Sequence, residues 1–121
     1  MNKTTIIIGA SPKPDRYANM AQKALTDAGH TVIPYRPKDG IIDGLEVVTS
    51  LAQIDQPVDT VTVYVRPSIF STLLDQICDL KPARVILNPG TEDEEIISRL
   101  ESAGIQAVEA CTLVMLKTGQ Y

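Results

Sequence analysis

A β-branched apolar run that breaks into a glycine turn, followed by a helical pattern, is the feature that most constrains this chain. The run Thr4–Ile8 is followed by Gly9, and helical spacing starts near Asp15. Such a run predicts a buried strand, and Gly9 permits a tight turn because it has no Cβ. The next helix then points its free N–H groups at the loop, where an anion can bind.

The turn departs from the usual dinucleotide-binding pattern. That pattern is Gly-x-Gly-x-x-Gly, whereas Ser11 and Lys13 stand here where further glycines are expected. The turn is therefore also compatible with an ordinary connection between a strand and a helix.

Alternating strand and helix patterns continue along the chain. Strands are predicted at 4–8, 31–35, 59–65, 84–88 and 106–109, with a short edge strand at 45–48. Helices are predicted over 15–28, over 69–80, and from a Thr91-x-x-Glu94 capping box to about 103. The sequence of residues 111–116 fits either a strand or a helix. This order predicts one domain over 1–121, a Rossmann-like three-layer α/β/α sandwich with a mostly parallel sheet of five to six strands.

Charge and composition exclude some classes of function. The net charge of −4 argues against nucleic-acid binding, although the first forty residues carry six cations against three carboxylates. Lys13 and Arg16 belong to this basic part and are candidate anion ligands. The sequence shows no apolar membrane span and no leader, and Cys78 and Cys111 form no disulfide framework, so we expect a cytoplasmic protein without a membrane partner.

The end of the second strand normally selects the nucleotide. An acidic side chain there binds the ribose of NAD, but this chain has Arg36-Pro37-Lys38. Cations at this position favour a ribose that carries a phosphate, as in NADP or coenzyme A. They are equally compatible with a solvated turn.

An ordered set of short motifs resembles one family. The motifs are Gly9-Ala10-Ser11-Pro12, Pro37-Lys38-x-Gly40, Asp43-Gly44, Val58-Asp59, Arg66-Pro67, Asn88-x-Gly90 and Ala103-Gly104-Ile105. Over nearly its whole length the chain resembles the small single-domain CoA-binding proteins, which are similar to the CoA-binding domains of succinyl-CoA synthetase and related acyl-CoA synthetases. Many members have asparagine where this chain has Arg36, and commonly glutamine where it has Asn88.

The resemblance implies a role for each matching segment. The Gly9-Ala10-Ser11-Pro12 turn would wrap phosphate groups, and Pro37-Lys38 would flank the adenosine and its 3′-phosphate. Val65, Arg66 and Pro67 would line the far wall of the cleft. Asn88 and Gly90 would lie next to the pantetheine arm of the ligand.

The resemblance implies binding of CoA or acyl-CoA without catalysis. His30 lies at the amino edge of the predicted sheet, and the histidine that carries phosphate in the synthetases belongs to another domain. Glu92–Glu95 are expected to stabilise a helix start rather than to bind a metal. Cys111 is predicted beside the ligand, either as a buried inert thiol or as one that meets the ligand thiol. The alternatives are an NADP-binding oxidoreductase-related subunit and a protein-interaction module that uses Leu113–Leu116, as a monomer or weak homodimer.

Overall fold

The computed structural model describes residues 2–121, in which short strands and helices alternate. The strands are β1 (Thr5–Ile8), β2 (Val32–Tyr35), β3 (Ile41–Ile42), β4 (Leu45–Glu46), β5 (Thr60–Val63), β6 (Arg84–Leu87) and β7 (Gln106–Glu109). The helices are α1 (Tyr17–Asp27), α2 (Pro67–Phe70), α3 (Leu74–Leu80), α4 (Glu94–Ser102) and α5 (Thr112–Lys117), with 3₁₀ turns at Leu51–Gln53 and Ser71–Leu73.

Five strands form one parallel sheet in the order β2-β1-β5-β6-β7, while β3 and β4 form a separate antiparallel hairpin. The central strands β1 and β5 are buried along their whole length, as their apolar and threonine-rich sequences require when both faces of the sheet are covered. The predicted Rossmann-like α/β fold with a mostly parallel sheet is confirmed.

The two faces of the sheet carry separate hydrophobic clusters because successive side chains of a strand point to opposite faces. Ile6 and Ile8 pack in the larger cluster with Phe70, under α2, α3 and α4. Ile7 packs in the smaller cluster with Leu25, under α1. This layering fixes the loops that follow β1, β2, β5 and β6 at one edge of the sheet.

Several predicted boundaries need correction. Helix α1 begins at Tyr17 rather than Asp15, because the N–H of Arg16 closes a turn onto the carbonyl of Lys13 at 3.1 Å. The predicted edge strand at 45–48 is instead β4 followed by a single bridge between Val48 and Tyr35. The helix predicted over 69–80 begins at Pro67 and is interrupted by a 3₁₀ turn. Residues 111–116, whose sequence fits either a strand or a helix, contain most of α5.

The predicted capping box at Thr91 and Glu94 is wrong. Asp93 caps α4 instead, because its carboxylate accepts the N–H of Ile96 at 3.1 Å. The hydroxyl of Thr91 turns back and donates to the carbonyl of Asn88 at 2.8 Å. Thr91 therefore belongs to the loop after β6, at the carboxyl edge of the sheet.

Candidate functional site

A cleft of about 640 Å³ opens at the carboxyl edge of the sheet, where the order of the strands reverses between β1 and β5. Ligands of open α/β sheets bind at such a point. The cleft is lined by Gly9, Ala10, Ser11, Pro12, Lys13, Arg16, Tyr17, Ala18, Arg36, Lys38, Tyr64, Pro89 and Thr91.

The turn after β1 is held rigidly against its neighbours. Gly9 has a φ of +92°, and the N–H groups of Gly9 and Ala10 both donate to the carbonyl of Tyr35, at 3.1 and 3.0 Å. These two amides are therefore not free to bind an anion. In the Gly9-Ala10-Ser11-Pro12 turn, which the resemblance implies wraps phosphate groups, only Ser11 has an N–H group without a partner, because proline has none. Further along this loop and at the start of α1, the N–H groups of Ser11, Asp15, Tyr17 and Ala18 have no hydrogen-bond partner among the described residues.

Buried amide side chains on α1 fix the shape of the cleft. Asn19 is almost fully buried, and its Nδ2 donates at 2.9 Å both to the carbonyl of Ser11 and to the carboxylate of Asp43. Gln22 donates to the carbonyl of Ile42 at 2.8 Å. These bonds tie α1 to the cleft loop and to the β3–β4 hairpin. The burial of Asn19 was not predicted from the sequence, because a polar residue within a helical pattern is normally expected at the surface.

The charge of the cleft is positive. Lys13, Arg16, Arg36 and Lys38 line it, and no carboxylate does. The ion pair found within residues 2–121 joins Arg99 to Asp75 on the opposite side of the sheet, so none of the four cleft cations forms a salt bridge to the described chain. No acidic residue lies in the first turn of α1, so the positive end of its dipole is not compensated there.

A smaller apolar pocket of about 220 Å³ adjoins the cleft. It shares Tyr17, Tyr64 and Pro89 with the cleft and adds Asn88, Cys111 and Leu113. The hydroxyl of Tyr64 is buried and has no hydrogen-bond partner among the described residues. Burial raises the pKa of Tyr64 to about 12, although the nearby hydroxyls of Thr62 and Thr112 act in the opposite direction.

Asn88 organises the floor of this pocket. Its Nδ2 donates to the hydroxyl of Thr62 at 2.7 Å and to the carbonyl of Val63 at 2.9 Å, while its Oδ1 accepts the N–H of Thr112 at 2.9 Å. The hydroxyls of Thr62 and Thr112 are 2.8 Å apart. The Asn88 side chain therefore joins β5, β6 and the start of α5, and it has little polar capacity left for a ligand.

The structure brings most of the predicted site residues together. Eight line the cleft, namely Gly9, Ala10, Ser11, Pro12, Lys13, Arg16, Arg36 and Lys38. Asn88 and Cys111 line the adjoining pocket. The cleft is also lined by residues that were not among the predicted site residues, namely Tyr17, Ala18, Tyr64, Pro89 and Thr91.

Five predicted residues lie outside both linings. These are Pro37, Val65, Arg66, Pro67 and Gly90. The Val65 side chain packs directly behind Gly9, and Arg66 is the N-cap of α2. Pro67, the first residue of α2, faces a separate depression near Arg99. The N–H of Gly90 donates to the carboxylate of Glu92 at 2.8 Å.

His30 lies at the amino edge, as predicted. Its Nδ1 accepts the N–H of Lys3 at 2.9 Å, and its ring lies 4.9 Å from that of Tyr121. Burial lowers the pKa of His30, and the positive charges of Lys3 and Arg84 lower it further. Among residues 2–121, no helix has the length and apolar character needed to cross a lipid bilayer.

A parallel α/β sheet with a cationic cleft at its switch point defines a class of anion- and nucleotide-binding domains. Comparison with known proteins identifies the family within this class to which the chain belongs. The family model described as "CoA binding domain" matches residues 3–117, so the chain belongs to the CoA-binding domain family. The resemblance found in the sequence motifs is confirmed.

Individual known proteins are similar to this chain in sequence or in fold. The chain is 30% identical over 103 residues to the uncharacterized protein YneT of Bacillus subtilis, a match that covers 85% of this chain and 76% of YneT. A crystal structure of an uncharacterized protein superposes with a TM-score of 0.95 at 41% identity, covering 100% of this chain and 99% of the other. The fold also matches a quarter of the dinucleotide-forming acetyl-coenzyme A synthetase 1 of Ca. Korarchaeum cryptofilum, with a TM-score of 0.77 at 19% identity over 89% of this chain.

Proposed function

We propose that this protein is a binding module for coenzyme A, free or acylated, and that the ligand occupies the cleft at the carboxyl edge of the sheet. The observation that carries the proposal is the set of four cations that line the cleft without a carboxylate partner there. A nucleotide with a diphosphate and a further ribose phosphate supplies matching negative charge.

Each part of the ligand has a suitable partner. The N–H of Ser11, the first turn of α1 and the side chains of Lys13 and Arg16 suit the diphosphate. Arg36 and Lys38, which follow β2, suit the 3′-phosphate of the ribose. The neighbouring apolar pocket, which the Tyr64 ring lines, suits the pantetheine arm.

Thermal unfolding with a panel of ligands tests this proposal. A ligand at 100 times its dissociation constant stabilises the folded state by about 2.7 kcal/mol, which raises the melting temperature measurably. We expect CoA to raise it more than ADP or NADP at equal concentration. A larger shift with NADP than with CoA would favour a dinucleotide-binding subunit instead, and no shift with any of them would overturn nucleotide binding.

A matched pair of variants links the shift to the cleft. Lys13→Gln removes a cation from the cleft, whereas Lys23→Gln removes an exposed cation of α1 that does not line it. We expect the CoA-dependent shift to decrease only with Lys13→Gln. Equal decreases in both variants would point to a general charge effect.

A further inference from the structure

A groove of about 820 Å³ runs between α1 and α5 on the outer surface of the protein. Its walls are apolar and are formed by Met20 and Ala24 of α1, by Ala28 directly after this helix, and by Leu113, Val114 and Leu116 of α5. Two of these side chains are markedly exposed, Met20 at 38% and Val114 at 55%. Exposed apolar side chains that are clustered rather than scattered mark a binding surface.

The groove shares lining residues with the candidate CoA site. Tyr17 lines the cationic cleft, the apolar pocket and the groove, and Cys111 and Leu113 line both the pocket and the groove. A ligand that enters with its phosphates in the cleft and its arm in the pocket therefore meets the groove at its thiol end. Cys111 stands at that junction.

The charged residues of the groove lie only at the end far from the ligand edge of the sheet. Helices α1 and α5 both follow the carboxyl ends of strands, so both start at the ligand edge and run away from it. The charged residues of the lining, Asp27 and Lys117, come from the last residues of the two helices. From Tyr17 to Ala28 the helix rises by about 16 Å, and the walls along this distance are apolar until the far end.

We propose that this groove binds the hydrocarbon chain of an acyl-CoA, so that the protein selects thioesters with medium or long aliphatic chains over free CoA. The proposal rests on the proposed CoA site, because the arm in the apolar pocket delivers the acyl group to the groove. Each methylene that is fully buried increases affinity about fourfold, equivalent to about 0.8 kcal/mol. An open groove buries only part of each methylene, so the expected gain per methylene is smaller.

Calorimetric titration with CoA, acetyl-CoA and octanoyl-CoA tests the proposal, with all ligands kept below the concentration at which they form micelles. We expect octanoyl-CoA to bind at least about tenfold more tightly than acetyl-CoA. Equal affinity of the two thioesters, with CoA itself bound, would overturn the acyl groove and leave the proposed function intact. Absence of binding for all three would overturn both.

Two variants of the groove and one control test whether the preference for octanoyl-CoA arises in the groove. Val114→Asp places a charge in the groove at an exposed position and should abolish the octanoyl advantage while changing the affinity for CoA less than about twofold. Met20→Glu provides a second test should Val114→Asp fail to fold. Ile69→Asp is the control, because Ile69 is 43% exposed and lies outside the groove. Retention of the octanoyl advantage in both groove variants would overturn the proposal, as would a dimer that Val114→Asp dissociates without any effect of acyl length.

Discussion

Gly9 and Val65 approach each other so closely that no side chain fits between them. A Cβ placed on Gly9 would lie 2.7 Å from Cγ1 of Val65, and the φ of Gly9 is +92°. The loops after β1 and β5 therefore meet at the point where the cleft opens. The contact explains why glycine is required at this position of the first motif.

Gly9→Ala should destabilise the protein by at least about 2 kcal/mol, because both the positive φ and the contact with Val65 act against a Cβ. Gly29 provides the control, since its φ is +89° and nothing lies within 4 Å of a built Cβ. Gly29→Ala should cost only the backbone term, about 1 kcal/mol. Urea unfolding of the two variants measures the difference, and equal losses would contradict the role of the contact.

Asn88→Ala should destabilise the protein by about 2–4 kcal/mol, because it leaves the N–H of Thr112 and the carbonyl of Val63 without their buried partner. The comparison is Asn2→Ala, which removes an exposed amide and should cost less than about 1 kcal/mol. Denaturant unfolding again gives both values. A loss for Asn88→Ala no larger than that for Asn2→Ala would show that the network contributes little.

The Tyr64→Phe variant tests what the buried hydroxyl contributes to stability and to ligand binding. The Tyr64 hydroxyl is buried without a partner, so its removal should leave the free energy of unfolding unchanged or slightly increased. Because the hydroxyl is buried while the ring lines the pocket, the same change should alter the affinity for CoA by less than about twofold. With a pKa of about 12, Tyr64 remains protonated from pH 6 to 9, so its effect on stability should not vary over that range. A loss of CoA affinity of about tenfold or more in Tyr64→Phe would contradict the burial of this hydroxyl.

His30 should make stability dependent on pH. Its pKa is lowered in the folded protein from the ordinary value of 6.5, so the unfolded chain takes up the proton more readily. Stability should therefore decrease as the pH falls through 6.5, when protonation would also place a proton on the Nδ1 that accepts the N–H of Lys3. His30→Gln should reduce this decrease, which thermal unfolding at pH 7.5 and 5.5 measures. An identical pH profile in the variant would contradict this role.

The pattern of the sequence predicted the fold well because its signals are local. Strands such as β1 and β5 are continuous runs of β-branched residues, and Gly9, Gly29 and Gly104 all take the positive φ expected of turns. Helix starts were less predictable. Asp93 and Thr91 both fit an N-cap by composition, and only the contact of Thr91 with Asn88 decides between them.

The positions of several candidate site residues could be predicted for the same reason, whereas their role in binding stays a prediction. Lys13, Arg16, Arg36 and Lys38 stand directly after strand ends, so topology alone brings them to one edge. Tyr64 and Asn19 depend on packing between distant segments, which no spacing in the sequence reveals. Pro67 lies outside the cleft because α2 carries it to the other side of the sheet, and Arg66 is the N-cap of the same helix.

Calorimetric titration of CoA and dephospho-CoA into the unmodified protein and into Arg36→Gln tests the central claim most directly. We expect saturable binding of one CoA per chain, with dephospho-CoA and the Arg36→Gln variant each weaker by about tenfold or more. When the two changes are combined, the loss should be smaller than the product of the two separate losses, because both remove the same contact. Absence of binding heat with CoA, or equal affinity for CoA and dephospho-CoA in both proteins, would contradict the assignment of this cationic cleft to a nucleotide with a phosphorylated ribose.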